Sequence, residues 1–573
     1  MNDKDINSKK SEKTSKAKQK KVGMDLNSVP NKKTLIKSKI KCILKLYLFF
    51  RLIIFFYLFI NVSTKENQFR QLQSKYSYII LDINSNGNRS FLSSEFEFCP
   101  DEVYVNDNKT SSDICKSIIL NKTKNKIKLV WINEIQNTNN MFNNLLNIMS
   151  IDLSNFNSSL VTSMINMFSG CKNLINLNLT NINTLLVTSM ESMFKNCSSL
   201  TSINLESFNT EKVNTMKFMF NNCKNLISID LSNFITTRVQ YMTSMFEGCE
   251  TLSYLNLSNF KTPQLKDVKS MFNSCKSLKF LDISSLVTSS VTDMSYFFSD
   301  CISLSQIDLS NFNTQKVSKI NHMFYNCQSL TSIDLSSFTT PLIVNTNYMF
   351  YNCKLITNLN ISHFNTPKLE RMSNMFSGCE SLTSLDLSNF DTSKVTMMEG
   401  LFENCNNLNS LDIHNFKTSS VKSIFNMFSG CKNLESLYIV NFDNTKITSL
   451  KNLFSGCENL KLINISFSNT NLLQDISGMF SDCYSLTSID LSNFDSSSVT
   501  NMKSLFSNCI NLVTLDIDNL KTSNVQDMSL MFNNCCSLTS LNLSEFKTSK
   551  VLTMENMFQN CINLSFIDIS NFD

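Results

Sequence analysis

Thiol and acidic side chains recur through this chain at one fixed interval, and both types are common metal ligands. Cysteines stand at 171, 197, 223, 249 and every 26 residues onward to 561, sixteen in all, with no insertion between them. Seven residues after the cysteine position runs a second row, with Asp at 282, 308, 334, 386 and 412 among others, Asn at 178, 204, 256, 360, 464 and 542, and Tyr438 once. A thiolate metal site needs ligands grouped as in CxxC, whereas each repeat here supplies one thiol at one place, so the cysteine row reads as small, buried packing residues. Bridges between successive rungs are disfavoured because in-register side chains point the same way, farther apart than a relaxed disulfide allows. Asp282, Asp308 and Asp334 fall in consecutive repeats, which would place like charges about 5 Å apart in stacked strands. Such a set titrates as a coupled group. It is either a solvated, hydrogen-bonded ladder or a calcium-dependent binding face. His322, His363 and His414 occupy three different places in their repeats and share no cluster. No catalytic residue, metal site or cofactor site is expected.

The repeat that positions these rows is plain in "MFSGCESLTSLDLSNFDTSKVTMM", Met375 to Met398. Counted from Cys379, the apolar residues are Leu382, Leu385, Leu387 and Phe390, then Val395, Met398, Leu401 and Phe402. Leu385 and Leu387 have the two-residue step of a strand, so Asp386 between them faces outward. The second set has the i, i+3, i+6, i+7 spacing of a helical face and predicts two to three turns of helix. Pro263, Pro341 and Pro367 each follow a threonine at one place in the repeat, as an N-cap and first helical residue would. The residue before the cysteine is Gly, Asn or Asp in all copies but the one with Ser274, which predicts a left-handed conformation closing that helix. Strand plus helix per coil gives an α/β class: a right-handed solenoid of about 17 repeats over residues 141–573, its strands forming one parallel sheet. No single repeat buries its apolar face alone; stacking does.

Three other segments precede the array. Residues 1–39 are a Lys-rich tail, and up to residue 41 thirteen Lys stand against four acidic residues. Residues 40–64, "IKCILKLYLFFRLIIFFYLFINVST", are long and apolar enough for a transmembrane signal anchor, with a cleaved signal peptide as the alternative and a buried or misread segment as the third reading. Either leading choice sends the C-terminal part outward: a single-pass membrane protein with an extracellular domain, or a secreted one. The basic tail lies outside the folded part and lacks interleaved aromatics, so no nucleic-acid partner is expected. Residues 65–140 carry short β-branched and aromatic runs and predict a small β-rich cap over the first coil. Cys99 and Cys115 within it are a candidate disulfide, with two unpaired buried thiols as the alternative. Asn88, Asn108 and Asn121 head Asn-x-Ser/Thr sequons and are candidate glycosylation sites.

The pattern LxxLDLSxF resembles a leucine-rich repeat, and its combination with VxxMxxMFxxCxxL resembles the BspA-like repeats of bacterial and protist surface proteins, over about 430 of the 573 residues. The chain departs from the general leucine-rich pattern by placing Phe where Asn usually forms a hydrogen-bonded ladder, leaving turn amides and carbonyls to Ser, Thr or Asn neighbours. The resemblance implies a cell-surface protein that adheres to or recognises protein or glycan ligands, without catalysis. Its candidate contact face is the row Asp282, Asp308, Asp334, Asp386, Asp412 and Tyr438. A structural cell coat without a specific ligand and an intracellular scaffold are the alternatives.

Overall fold

The computed structural model describes residues 76–439, 443, 445–465, 470–491 and 494–572. The tail and the apolar segment at 40–64 lie outside the described residues. Among the described residues no helix is long and apolar enough to cross a membrane.

The first part of the described chain is a small antiparallel β structure. Its strands are β1 (Ser77–Ile83), β2 (Gly87–Ser90), β3 (Glu102–Val105), β4 (Asn108–Lys109), β5 (Ser117–Leu120) and β6 (Asn125–Trp131). The first strands of the array are β7 (Ile148–Asp152) and β8 (Asn176–Asn178). One sheet runs β4-β3-β6-β1-β7-β8, while β2 and β5 pair separately. β1 pairs antiparallel with β6 and β7, and β7 pairs parallel with β8. The cap thus occupies the edge that the first coil would otherwise leave open, which a stacked array requires at its end. Its interior, with Phe91, Phe96 and Leu129 fully buried, is continuous with the core of the coils. A disulfide joins Cys99 to Cys115, whose Cα atoms are 4.8 Å apart.

From there the chain winds as a solenoid of about 16 coils. Short strands mark the LDLS segments, and where they pair they do so in parallel, one repeat apart: Tyr254–Asn256 with Phe280–Asp282, Ser384–Asp386 with Ser410–Asp412, and Thr514–Asp516 with Ser488–Asp490. A second line of contact runs through single parallel bridges eighteen residues after the cysteine position, from Ser163 through Ser189, Thr215 and Tyr241 to Asp267, and again from Asp293 to Ser423 and from Ser449 to Thr553. Between these two lines lies the core. Phe168, Phe194 and Phe220 stack on one another with ring centroids 5.5 Å apart, and Phe208, Phe234 and Phe260 form a second column at 6.5 and 6.3 Å. Methionine, leucine and valine rows fill the space between.

The expectation of a helix in every coil is overturned, and with it the α/β class: among the described residues there is no helix, and the array is all β strands and turns. The stretch read as helical is a succession of β-turns. In the coil after Cys379, Leu401 N–H bonds Met398 O, Glu403 N–H bonds Gly400 O and Cys405 N–H bonds Phe402 O, each three residues back. The intervening amides leave the coil altogether: Met398, Gly400, Phe402 and Asn404 donate to Ser423, Phe425, Met427 and Ser429 of the next. A helix would have kept all of them inside one coil. Apolar spacing did not separate the two because consecutive turns also return side chains to one side every three to four residues. Thr-Pro proves equally ambiguous. Leu265 N–H bonds Thr262 O, and Leu369 N–H bonds Thr366 O, so Pro263 and Pro367 occupy the second position of a turn, where their fixed φ is equally welcome.

The position before the cysteine is left-handed, from Gly170 (φ 74°) and Asn196 (φ 59°) through Ser274 (φ 60°) to Asn560 (φ 60°). It serves as the third residue of a turn and not as a helix cap. A second left-handed row lies four residues earlier, with Asn374 (φ 55°) and Gly400 (φ 55°) as examples.

Candidate functional site

The outward row of the strand line is built by the period-two alternation of each LDLS segment. In Tyr254–Asn256 and Ser384–Asp386 the central leucine is buried and its neighbours are exposed. Asp308, Asp334, Asp386 and Asp412 are exposed, and Asp282 is half-buried. Each turns one carboxylate oxygen back on its own chain: Asp308 Oδ1 accepts from the Ser310 amide at 2.9 Å, Asp334 from Ser336 at 2.9 Å and Asp386 from Ser388 at 2.9 Å. Asp282 accepts from both the amide and the hydroxyl of Ser284, at 3.0 and 2.7 Å. These Asx turns end the strand. Asn fills the same role, Asn178 Oδ1 accepting from Thr180 N–H at 3.0 Å and Asn256 Oδ1 from Ser258 at 2.9 Å.

Donation from the amide of the residue two ahead holds the carboxyls of Asp308, Asp334 and Asp386 below the usual carboxylate range. The like charge one coil away acts in the opposite sense at Asp308, from Asp334, and at Asp386, from Asp412. The local hydrogen bond prevails. Among the described residues no three His, Cys, Asp or Glu side chains are grouped to hold a metal ion. Asp308, Asp334 and Asp386 thus each place one oxygen on a turn amide while the residue stays exposed. Tyr438 lies in the strand Ser436–Ile439, in register with Asn464.

The three histidines fall in three settings. His414 Nδ1 is 2.6 Å from Asp412 Oδ1 on the exposed row. His363 Nε2 meets Leu335 O at 3.0 Å, 28 residues back. That is the place where Asn233 and Asn259 donate to Leu205 O and Leu231 O, at 3.0 and 2.9 Å. The hydrogen-bonded ladder that Phe was expected to displace has moved one residue, to the position before it. His322 sits among aromatic rings elsewhere in its coil.

The thiols are interior. Cysteines 171 to 535 of the ladder are buried, and each donates to a phenylalanine carbonyl one coil back, as Cys223 does to Phe194 O at 3.1 Å. Burial pushes the Cys223 thiol up to about 12. Cys536, outside the ladder, is half-exposed. Asn88, Asn108 and Asn121 are exposed on the cap.

Two contact residues were not anticipated from the sequence. Tyr254 and Phe280, two positions before Asn256 and Asp282 and therefore on the same outward side, stack at 4.7 Å while remaining 54% and 46% exposed. Their signal was available as two adjacent aromatics in a row that otherwise carries mainly Ser, Thr and Asn. Beside them an open hollow of about 450 Å³ is lined by Lys279, Phe280, Asp282, Gln306 and Asp308.

Three solved structures were found similar at low identity. A leucine-rich repeat protein from Eubacterium ventriosum is 16% identical over 63% of this chain and 81% of its own, with a TM-score of 0.29. The functional domain of InlJ from Listeria monocytogenes, which includes a cysteine ladder, is 17% identical over 69% and 67%, with a TM-score of 0.19. TLR13 in complex with ssRNA13 is 18% identical over 71% and 82%, with a TM-score of 0.18. The search of curated proteins found no matching sequence. A family model described as "Mycoplasma protein of unknown function, DUF285" matches residues 136–255, 246–358, 346–459, 426–538 and 506–573. These overlapping matches take in every coil, and the chain belongs to the DUF285 family.

Proposed function

We propose that the array is a non-catalytic recognition module, displayed outside the cytoplasm, whose strand-line face meets protein ligands, and that it is related in role to the BspA-like surface proteins. The observation that carries this reading is the Tyr254–Phe280 stack, two large rings left half in water where the neighbouring coils carry the polar Ser228 and Gln306. Exposed aromatics beside polar side chains are the usual anchors of protein contacts. The Asp/Asn row around them supplies outward acceptors whose geometry is fixed by the Asx turns. Display in an oxidising compartment is supported by the Cys99–Cys115 disulfide.

Binding of the full chain to immobilised cell-surface and matrix proteins tests the module. The double variant Tyr254→Ser, Phe280→Ser should lose at least tenfold in affinity while its unfolding transition is unchanged. Equal binding by the variant would move the contact elsewhere. Protease treatment of intact cells tests display: loss of the array only once the cells have been lysed, and none from intact cells, would exclude it.

A further inference from the structure

The left-handed row four residues before the pre-cysteine position carries Asn, Ser or Gly in most coils, and of these Asn and Gly adopt positive φ most readily. Three consecutive coils carry a ring there instead, with Tyr296 (φ 59°), His322 (φ 58°) and Tyr348 (φ 57°). Phe218 and Leu530 are bulky in the same row but stand singly. Histidine tolerates this conformation, but for the bulky Tyr296 and Tyr348 it is strained, and strain kept where the ring is not in the core points to use. All three rings are only half-buried.

They form one column, Tyr296 on His322 at 4.4 Å and His322 on Tyr348 at 4.8 Å. A second column stands beside it, Tyr325 on Tyr351 at 4.9 Å and 7°. Tyr348 meets Tyr325 and Tyr351 edge-on, at 6.3 and 5.6 Å. Among the described residues none of the four phenol hydroxyls has a hydrogen-bond partner within the protein.

The surroundings are polar but carry little free charge. Ser295 Oγ donates to Asn321 Oδ1 at 2.9 Å, and Asn321 Nδ2 lies 3.3 Å from His322 Nδ1. Asn326 Nδ2 donates to Asp300 Oδ1 at 2.8 Å and Gln328 Nε2 to Asn326 Oδ1 at 2.6 Å. Lys319, in the coil of His322, is paired with Asp293 at 3.9 Å. Burial holds the His322 imidazole below its usual range, so it is neutral at neutral pH. A phosphate, a nucleic acid or an anionic lipid would ask for unpaired cations here and would meet the carboxylate of Asp300 instead.

We propose that Tyr296, His322, Tyr325, Tyr348 and Tyr351 form a binding site for an uncharged glycan. Aromatic rings offer a surface to the C–H face of a sugar ring, while phenol hydroxyls and the neighbouring amides exchange hydrogen bonds with its hydroxyls. The site lies fourteen residues along the coil from the Asp308 position, so it is separate from the strand-line face and does not depend on that reading.

The test presents the full chain to an array of immobilised neutral, sialylated and sulfated oligosaccharides, followed by calorimetric titration with the best neutral one. The informative variants are His322→Asn and Tyr348→Asn, which install a residue already used in this row at Asn374 and Asn426. They should raise or leave unchanged the unfolding midpoint and weaken binding at least tenfold. Tyr325→Ser should weaken it with no change in midpoint, and Tyr254→Ser should leave it intact. Retention of charged glycans only, retention of none, or equal neutral-glycan binding by Tyr348→Asn would each overturn the proposal.

Discussion

The hydroxyl of Thr288 bridges two coils: it donates to the Asn313 carbonyl at 3.0 Å and accepts from the Asn313 amide at 2.8 Å. Both bonds are made in a residue that is 1% exposed. The same double contact recurs at Thr184 with Asn209 and at Thr210 with Ile235. One small side chain thereby satisfies both polar groups of a backbone residue in the neighbouring coil.

Thr288→Val keeps the shape and removes both partners of the Asn313 backbone. It should destabilise the array by about 1–3 kcal/mol, the cost of leaving buried groups unpaired. Thr288→Ser should be nearly neutral, because Ser496 already makes the pair of bonds with Lys521, at 2.9 and 2.7 Å. Denaturant unfolding of the two variants checks this.

Gly378 is left-handed (φ 73°), and a Cβ there would fall on the Asn352 carboxamide oxygen of the previous coil. Gly378→Ala should cost about 1–2 kcal/mol for the conformation alone. Gly378→Asn should cost less, since Asn222 is accommodated over Asn196 with a hydrogen bond of 3.2 Å. The order of the two unfolding midpoints is the measurement.

Alkylation of the native chain near neutral pH should modify Cys536 and spare the buried ladder from Cys171 to Cys509, whose thiols are held by burial far from ionisation. Peptide mapping by mass spectrometry reads the result. Rapid labelling of Cys327 or Cys353 would show that the coils part.

Acid should weaken the strand-line turns. The folded carboxyls of Asp308, Asp334 and Asp386 bind protons less tightly than the unfolded ones, because the amides of Ser310, Ser336 and Ser388 donate to them. Their contribution is therefore complete above the unfolded value of about 3.9 and drains away as pH falls through the lower folded values. Asp→Asn at these three positions should flatten the stability profile below about pH 4, since Asn makes the same turn at Asn178 and Asn256 without titrating.

Much of this architecture was legible because a strict repeat prints each structural requirement many times. The buried leucine pair, the outward Asp386 and the left-handed residue before Cys379 all follow from residue type and place. What the spacing could not reveal was where alternate amides go. Val395, Met398, Leu401 and Phe402 would face one way in a helix and do so in consecutive turns. The discriminating signal was the second row of Asn, Ser and Gly at Asn374 and Gly400, which a helix interior has no use for and a turn's third position requires. The aromatic block was hidden for the opposite reason: Tyr296, His322 and Tyr348 depart from the repeat, and a reading built on regularity passes over departures.

The alternate amides at Met398, Gly400, Phe402 and Asn404 reach the next coil on one side while the LDLS strand pairs on the other. Each coil is thus stitched to its neighbour along two seams with the oily interior between them. A load that pries open one seam leaves the other closed, so detaching a single coil requires both to fail together, and a local nick in one turn need not unravel the rungs beyond it.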